Sequence, residues 1–302
     1  MKSNNGFDVI IVGGSYSGLS AAMALGRSLR NILIIDSGLP CNRQTPHSHN
    51  FITQDGEQPA AIAEKAKAQV LNYDTIRFLH GKAISGKKTE NGFTITTQKE
   101  ETFTAKKLVF ATGVKDIMPD IGGFSACWGI SVIHCPYCHG YEVKNEKTGI
   151  LANGDIAFHY AQLIRNWTGD LTIFTNGKST LTAEQTERIG KHGITVVEKE
   201  IGSFKHEKGG LQQVVFKDQS TFDLTAIYAR PDFEQHCKIP EQLGCEFSEQ
   251  DLLTVSMFQK TTVNGIYACG DNSSPLRAVS HAVAAGTIAG AALNNEMTEE
   301  EF

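Results

Sequence analysis

Nine residues, "HCPYCHGYE" from His134 to Glu142, concentrate the chemistry of this sequence. Two residues separate Cys135 from Cys138, and His139 follows at once. Three chemistries use such a string. Cys-x-x-Cys-His attaches a c-type haem, Cys and His together hold zinc, and a Cys-x-x-Cys dithiol exchanges electrons through a reversible disulfide. Haem attachment goes with export. The opening "MKSNNGFDVIIVGGS" lacks the form of a signal peptide, since its short apolar run ends in glycines. Zinc could draw on His134, Cys135, Cys138 and His139, but a structural site takes a second pair from a distant segment. Cys41, Cys127, Cys237, Cys245 and Cys269 offer no second Cys-x-x-Cys. No metal is expected. Two buried cysteines close by chance are the plain alternative. The redox dithiol fits best, because Pro136 suits the first turn of a helix and a helix start favours the thiolate. His139 is then an acid/base candidate, with turn capping as its plain alternative.

A dithiol needs something to exchange electrons with, and the N-terminal segment offers a nucleotide fold. Phe7 to Val12 reads as a buried strand, Leu19 to Leu29 as a helix, and Asn31 to Ile35 as a second strand ending at Asp36. Gly13, Gly14, Ser15 and Gly18 form the turn between. The helix start would face a pyrophosphate and Asp36 a ribose. Ser15 stands where the usual Gly-x-Gly-x-x-Gly has its second Gly, a small residue that keeps its N–H. A βα turn without a ligand is the alternative.

A second βαβ pattern, "TGILANGDIAFHYAQLIRNWTGDLTIFTNG", lies in the middle of the chain. Ala152 takes the place of the first Gly in its turn, where a Cβ is crowding. Its second strand ends in Thr175, Asn176 and Gly177, with no carboxylate for a ribose and no Arg pair for a 2′-phosphate. The domain is read either as a scaffold whose NAD(P)H site has decayed or as a weak site using Arg165, Lys178 or Arg230. NAD(P)H use is therefore doubtful.

The bulk numbers bound these readings. The chain has 302 residues, room for two domains, and 40% of them are hydrophobic. A formal net charge of −5 gives no reason to expect nucleic acid or an anionic membrane surface. No window approaches a membrane span. Seven cysteines, an odd number, argue against a secreted disulfide framework. A cytoplasmic protein is expected.

Family resemblance sharpens the picture. "TTVNGIYACGD" resembles the C-terminal FAD signature of two-dinucleotide-domain flavoproteins, matched here by Thr261, Gly265, Ile266, Tyr267, Ala268, Gly270 and Asp271. That resemblance implies a ribityl contact for Asp271. "LVFATGV" resembles the stretch that ends the first half of the FAD domain, which adds Ala111, Thr112 and Gly113. The whole chain resembles the low-molecular-weight thioredoxin reductase family. "CPYCHGYE" and the missing His-Arg-Arg of the NADPH-dependent members look most like its dithiol oxidase branch, which includes enzymes that close disulfides in gliotoxin and holomycin. His139 stands where the reductases usually have Asp.

The resemblance implies an α/β fold of two Rossmann-like, three-layer domains, the nicotinamide-type domain inserted into the FAD domain. The expected bounds are 1–114 with 242–302 for FAD, and 115–241 for the inserted domain carrying the cysteines. Hinges are expected near Val114 to Asp120 and Pro231 to Glu241. Cys135 is implied as the interchange thiol and Cys138 as the thiol that meets the flavin. Asn50 is carried over as an FAD-side residue, while His47, His49 and His281 stay unassigned. A homodimer is implied, as is a substrate that is a dithiol or disulfide, either a thioredoxin-like protein or a small molecule. An NAD(P)H-dependent thioredoxin reductase and a non-catalytic flavin redox sensor are the other readings.

Overall fold

The computed structural model describes residues 6–302. It separates into two compact units, and each is α/β. One contains the chain up to Arg43, Pro59–Lys115 and Phe233–Phe302; the other contains Gln44–Gln58 and Asp116–Asp232.

In the first unit Gly6–Val12 lies within a seven-stranded sheet. Ile32–Asp36 and then Ile76–His80 flank it on one side, and Thr102–Phe110 on the other, all parallel to it. Ile266–Ala268 adds to Thr102–Phe110 in parallel, while Gly92–Thr97 and Ala83–Thr89 extend the sheet antiparallel. Alternation decides the faces. Val9, Ile11, Ile32 and Ile34 pack under the helices Tyr16–Arg27 and Val279–Glu301. Ile10, Val12, Leu33 and Ile35 enter a second core with Phe93, Phe103 and Leu253. The two helices touch through a seam of small residues. A Cβ on Gly290 would stand 2.6 Å from the Ala21 carbonyl oxygen, and one on Gly286 would strike that of Ser17.

The second unit holds a five-stranded parallel sheet in the order Thr195–Val197, Leu171–Phe174, Thr148–Leu151, Ala226–Ala229, Val132–Ile133. Ile150, Ile173 and Tyr228 face the helices Gly154–Ile164 and Ala183–Lys191. Phe174 and Ile227 face a three-stranded antiparallel sheet, Ile201–Glu207, Gly210–Phe216 and Thr221–Asp223. Thr182 and Gln185 close a capping box at the start of Ala183–Lys191, which fixes where that helix begins. Among the described residues no helix is long and apolar enough to cross a membrane, and no cluster of His, Cys, Asp and Glu is arranged to hold a metal.

Candidate active site

Val132–Ile133 delivers the cysteines at the edge of the parallel sheet. Cys135 is extended and serves as N-cap, Pro136 takes the first turn, and the short helix Pro136–His139 follows. The Cys135 carbonyl oxygen accepts from the N–H groups of Cys138 and His139, both at 3.2 Å. This turn brings the two Cα atoms to 5.3 Å, and Cys135 and Cys138 form a disulfide. Both cysteines are partly accessible. Gly140 ends the helix over a tight floor. A Cβ there would stand 3.0 Å from both Trp167 Nε1 and Tyr228 Oη. Trp167 also meets Tyr137 edge-on, with ring centroids 5.6 Å apart. The Tyr228 hydroxyl is fully buried without a hydrogen-bond partner, and burial, then the charge of Glu142, pushes its pKa up.

His139 is half-buried beside Cys138. Burial lowers its pKa, Glu142 opposes that shift, and His49 adds to it. The neutral imidazole that results can accept a proton. His49 comes from the 44–58 loop, which belongs to the same unit. Its ring stands edge-on to His139 at 6.5 Å between centroids. Its Nε2 lies 3.5 Å from Glu142 Oε1 and its Nδ1 3.7 Å from Asp55 Oδ1. The loop is closed by a bridge between Ser48 and Glu57 and by the Asn50 N–H, which donates to Asp55 Oδ1 at 2.7 Å. Asn50 lies in this loop, with the cysteines' unit. His47 is tied to the Gly56 carbonyl at 2.9 Å. Glu142 and Asp55 were not singled out by the sequence. The available signal was the place of Glu142 three residues after His139, in the turn just beyond the short helix.

In the first unit the glycine-rich turn is built for close backbone approach. Gly13 has φ +104°, and a Cβ on it would run into the Ala111 carbonyl; one on Gly18 would run into that of Gly13. The Gly14 N–H donates to Asp36 Oδ1 at 2.9 Å, and Gly38 N–H to Asp36 Oδ2 at 3.0 Å. Ser15 is the N-cap of Tyr16–Arg27, but no side chain caps that helix and no acid sits in its first turn. Its free N–H groups and positive end suit a phosphate. Ala111, Thr112 and Gly113 leave the neighbouring strand end beside this turn. Gly270, at φ +91°, packs against Ser17, and Asp271 Oδ2 lies 3.7 Å from Arg277 Nε. Asn272 is fully buried. Its Nδ2 donates to the Phe110 carbonyl at 2.9 Å, while its Oδ1 lacks a partner. Thus the glycine cradle, the open helix start and an orphaned amide oxygen converge on one end of the sheet, and they fit a bound dinucleotide. His281 lies in the first turn of Val279–Glu301.

The corresponding turn of the second unit is closed. Asn153 caps Gly154–Ile164, its Oδ1 accepting from Gly154 N–H at 2.9 Å and Thr180 N–H at 2.8 Å. Its Nδ2 donates to the Lys178 carbonyl at 2.9 Å. Asp155 puts a carboxylate in the first helical turn. Thr175 Oγ1 is turned into the backbone, donating to the Gly177 carbonyl at 2.6 Å, and Asn176 Oδ1 accepts from Ile201 N–H. The side chains at the end of this strand are therefore already committed.

A model of the pyridine nucleotide-disulphide oxidoreductase family matches residues 7–286. Thioredoxin reductase tcpT of Claviceps purpurea is 31% identical, over 96% of this chain and 94% of that protein. Thioredoxin reductase sirT of Leptosphaeria maculans is 30% identical, over 95% and 93%. Among solved structures, an oxidoreductase from Agrobacterium tumefaciens is 36% identical with a TM-score of 0.92, covering 97% of this chain and 99% of that one. The crystal structure of HlmI is 28% identical with a TM-score of 0.93, covering 100% and 95%.

Proposed function

The chain belongs to the pyridine nucleotide-disulphide oxidoreductase family, and from that premise we propose that it oxidises dithiols, passing two electrons from a substrate dithiol through Cys135 and Cys138 to FAD. The observation that carries this direction is the pairing of an accessible Cys135–Cys138 disulfide and a neutral His139 with a nucleotide turn that Asn153 plugs. The first unit would hold FAD through Gly13, Gly14, Ser15, Gly18 and Asp36, with Ala111, Thr112, Gly113, Gly270 and Asp271 lining its other side.

The chain's own residues account for the thiol step. A substrate thiolate attacks Cys135, the Cys135–Cys138 bond breaks, and Cys138 leaves as thiolate. The second substrate thiol attacks the mixed disulfide, frees Cys135 and closes the substrate's own S–S bond. His139 takes the proton from each attacking thiol in turn, while the cysteines leave as thiolates. When bound, FAD supplies the two-electron sink that restores the protein disulfide.

Anaerobic mixing of the purified protein with dithiothreitol, NADPH and NADH in turn, followed by flavin absorbance, tests the reading. Dithiol alone should bleach the flavin, and Cys135→Ser should abolish that bleaching. The likeness to the thioredoxin reductases tcpT and sirT favours a second reading, a nicotinamide-dependent thioredoxin reductase. Rapid bleaching by micromolar NADPH would establish that one instead. A homodimer acting in the cytoplasm completes the proposal, and light scattering on the purified protein tests the dimer.

A further inference from the structure

Closing one substrate disulfide removes two electrons and two protons from a dithiol. The electrons enter the Cys135–Cys138 pair, whose bond breaks at the first attack, and the substrate bond closes at the second. The protons leave in two separate attacks. A single imidazole at His139 must therefore unload between them. His139 is half-buried, so the groups around it decide where the proton goes.

Glu142 and His49 face His139 from the surface, and Tyr228 lies beneath the same turn. Tyr228 is fully buried and holds its proton more tightly than an ordinary phenol, so it is a poor acceptor. Glu142 is exposed, and its carboxylate reaches His49 Nε2 at 3.5 Å. His49 turns its other nitrogen to Asp55, 3.7 Å away at the surface, and His47 follows at 6.5 Å between rings. The 3.5 and 3.7 Å separations are ion-pair distances that a water or a small side-chain shift would close into hydrogen bonds. A chain of acceptors thus runs from the half-buried base to the exposed Asp55, assembled from two segments of one unit that lie far apart in sequence.

We propose that His49 and Glu142 are the proton outlet of the dithiol centre, carrying protons between His139 and solvent; this rests on the dithiol-oxidising reading above. Both act through His139 and are positioning residues. The loop backbone serves the arrangement. Asn50, Thr53 and Gly56 all have positive φ, and the bend they make holds Asp55 and His49 on the same side.

The test compares wild-type holoenzyme with H49Q and E142Q, using dithiothreitol as the dithiol. In dilute buffer at neutral pH both variants should turn over roughly 10-fold more slowly, a smaller loss than the roughly 10²-fold expected when the base itself is removed. Added imidazole should restore their rate and leave the wild type unchanged. A second readout needs no turnover. The reduced protein is alkylated with iodoacetamide across pH, and the peptide containing Cys135 and Cys138 is followed by mass spectrometry. Glu142 favours the imidazolium and His49 disfavours it. The imidazolium stabilises a nearby thiolate. The pH midpoint should therefore rise in E142Q and fall in H49Q. A purely structural role for the two residues would move both midpoints the same way. Midpoints that move together, or variants whose rates imidazole does not change, would overturn the outlet alone. A wild-type flavin that no dithiol bleaches would overturn the dithiol reading, and the outlet with it.

Discussion

An imidazole beside a thiol works as a base only while it is neutral, and the surroundings of His139 keep it so. Burial lowers its pKa, and the nearby Glu142 reverses only part of that. The base form consequently persists as pH falls below the usual imidazole range near 6.5. Dithiol-driven flavin reduction should hold through mildly acidic pH and fall only when pH passes the lowered value. His139→Ala should slow that reduction about 10²-fold and remove this acid limb, measured by stopped flow over pH. An unchanged rate and profile would leave His139 with a capping role. The sequence made His139 legible because it adjoins Cys138. It hid Glu142's partner, since His49 is 93 residues before Glu142 and only folding brings the two within 3.5 Å.

Elements set these residues by close packing, and the C-terminal helix shows what that requires. Val279–Glu301 lies on Tyr16–Arg27 through Gly286 and Gly290, where a Cβ would meet backbone oxygens. Its far end is pinned by charge. Lys107 is nearly buried in its strand and donates to Glu296 at 2.7 Å and Glu300 at 2.6 Å, while Tyr267 donates to Glu296 at 2.9 Å. Burial alone would raise the Glu296 carboxyl. Hydrogen bonds from Lys107, Lys260 and Tyr267 outweigh it and hold the pKa at about 2. A carboxyl depressed in the folded state contributes stability that is complete above its unfolded pKa, roughly 4.3, and is lost as pH falls toward the folded value. Glu296→Gln should therefore destabilise the protein at pH 7 by on the order of 1–3 kcal/mol, since it leaves Lys107 buried with one partner fewer. Urea unfolding at pH 7 and pH 3 checks this, and the gap between variant and wild type should narrow in acid. An equal gap at both pH values would mean that Glu296 stabilises the helix without its charge. The strands and glycine turns of both units were legible because their signals are local. The seam and the ion network were not, because the seam pairs the two ends of the chain and the network ties Lys107 to Glu296, 189 residues on.

At the scale of the whole molecule, one chain builds two nucleotide folds and keeps only one of them open. In sequence the second turn stood out by Ala152 in place of the first Gly and by the Thr175, Asn176 and Gly177 that end its second strand. The structure adds a reason that no motif contains. In the first unit the helix start is uncapped and free of acid, whereas in the second Asn153 fills it and Asp155 adds negative charge. A diphosphate arriving there would have to displace Asn153 from the N–H groups of Gly154 and Thr180 and sit against a carboxylate. Thr175 and Asn176 are bonded to the backbone and offer nothing to a ribose. Lys178 nearby is a single point charge, a poor replacement for a bidentate guanidinium. Each charge-assisted contact forgone is worth about 1.5–3 kcal/mol, so two of them weaken NADPH binding by roughly two to four decades. Calorimetric titration of the holoenzyme with NADPH should accordingly give a Kd in or above the high-micromolar range, and NADH should do no better. Asn153→Gly should tighten binding only slightly, because Asp155 and the missing arginines remain. Tight NADPH binding to the unaltered protein would mean that another surface recognises the nucleotide, and electron flow would then run from nicotinamide toward the cysteines.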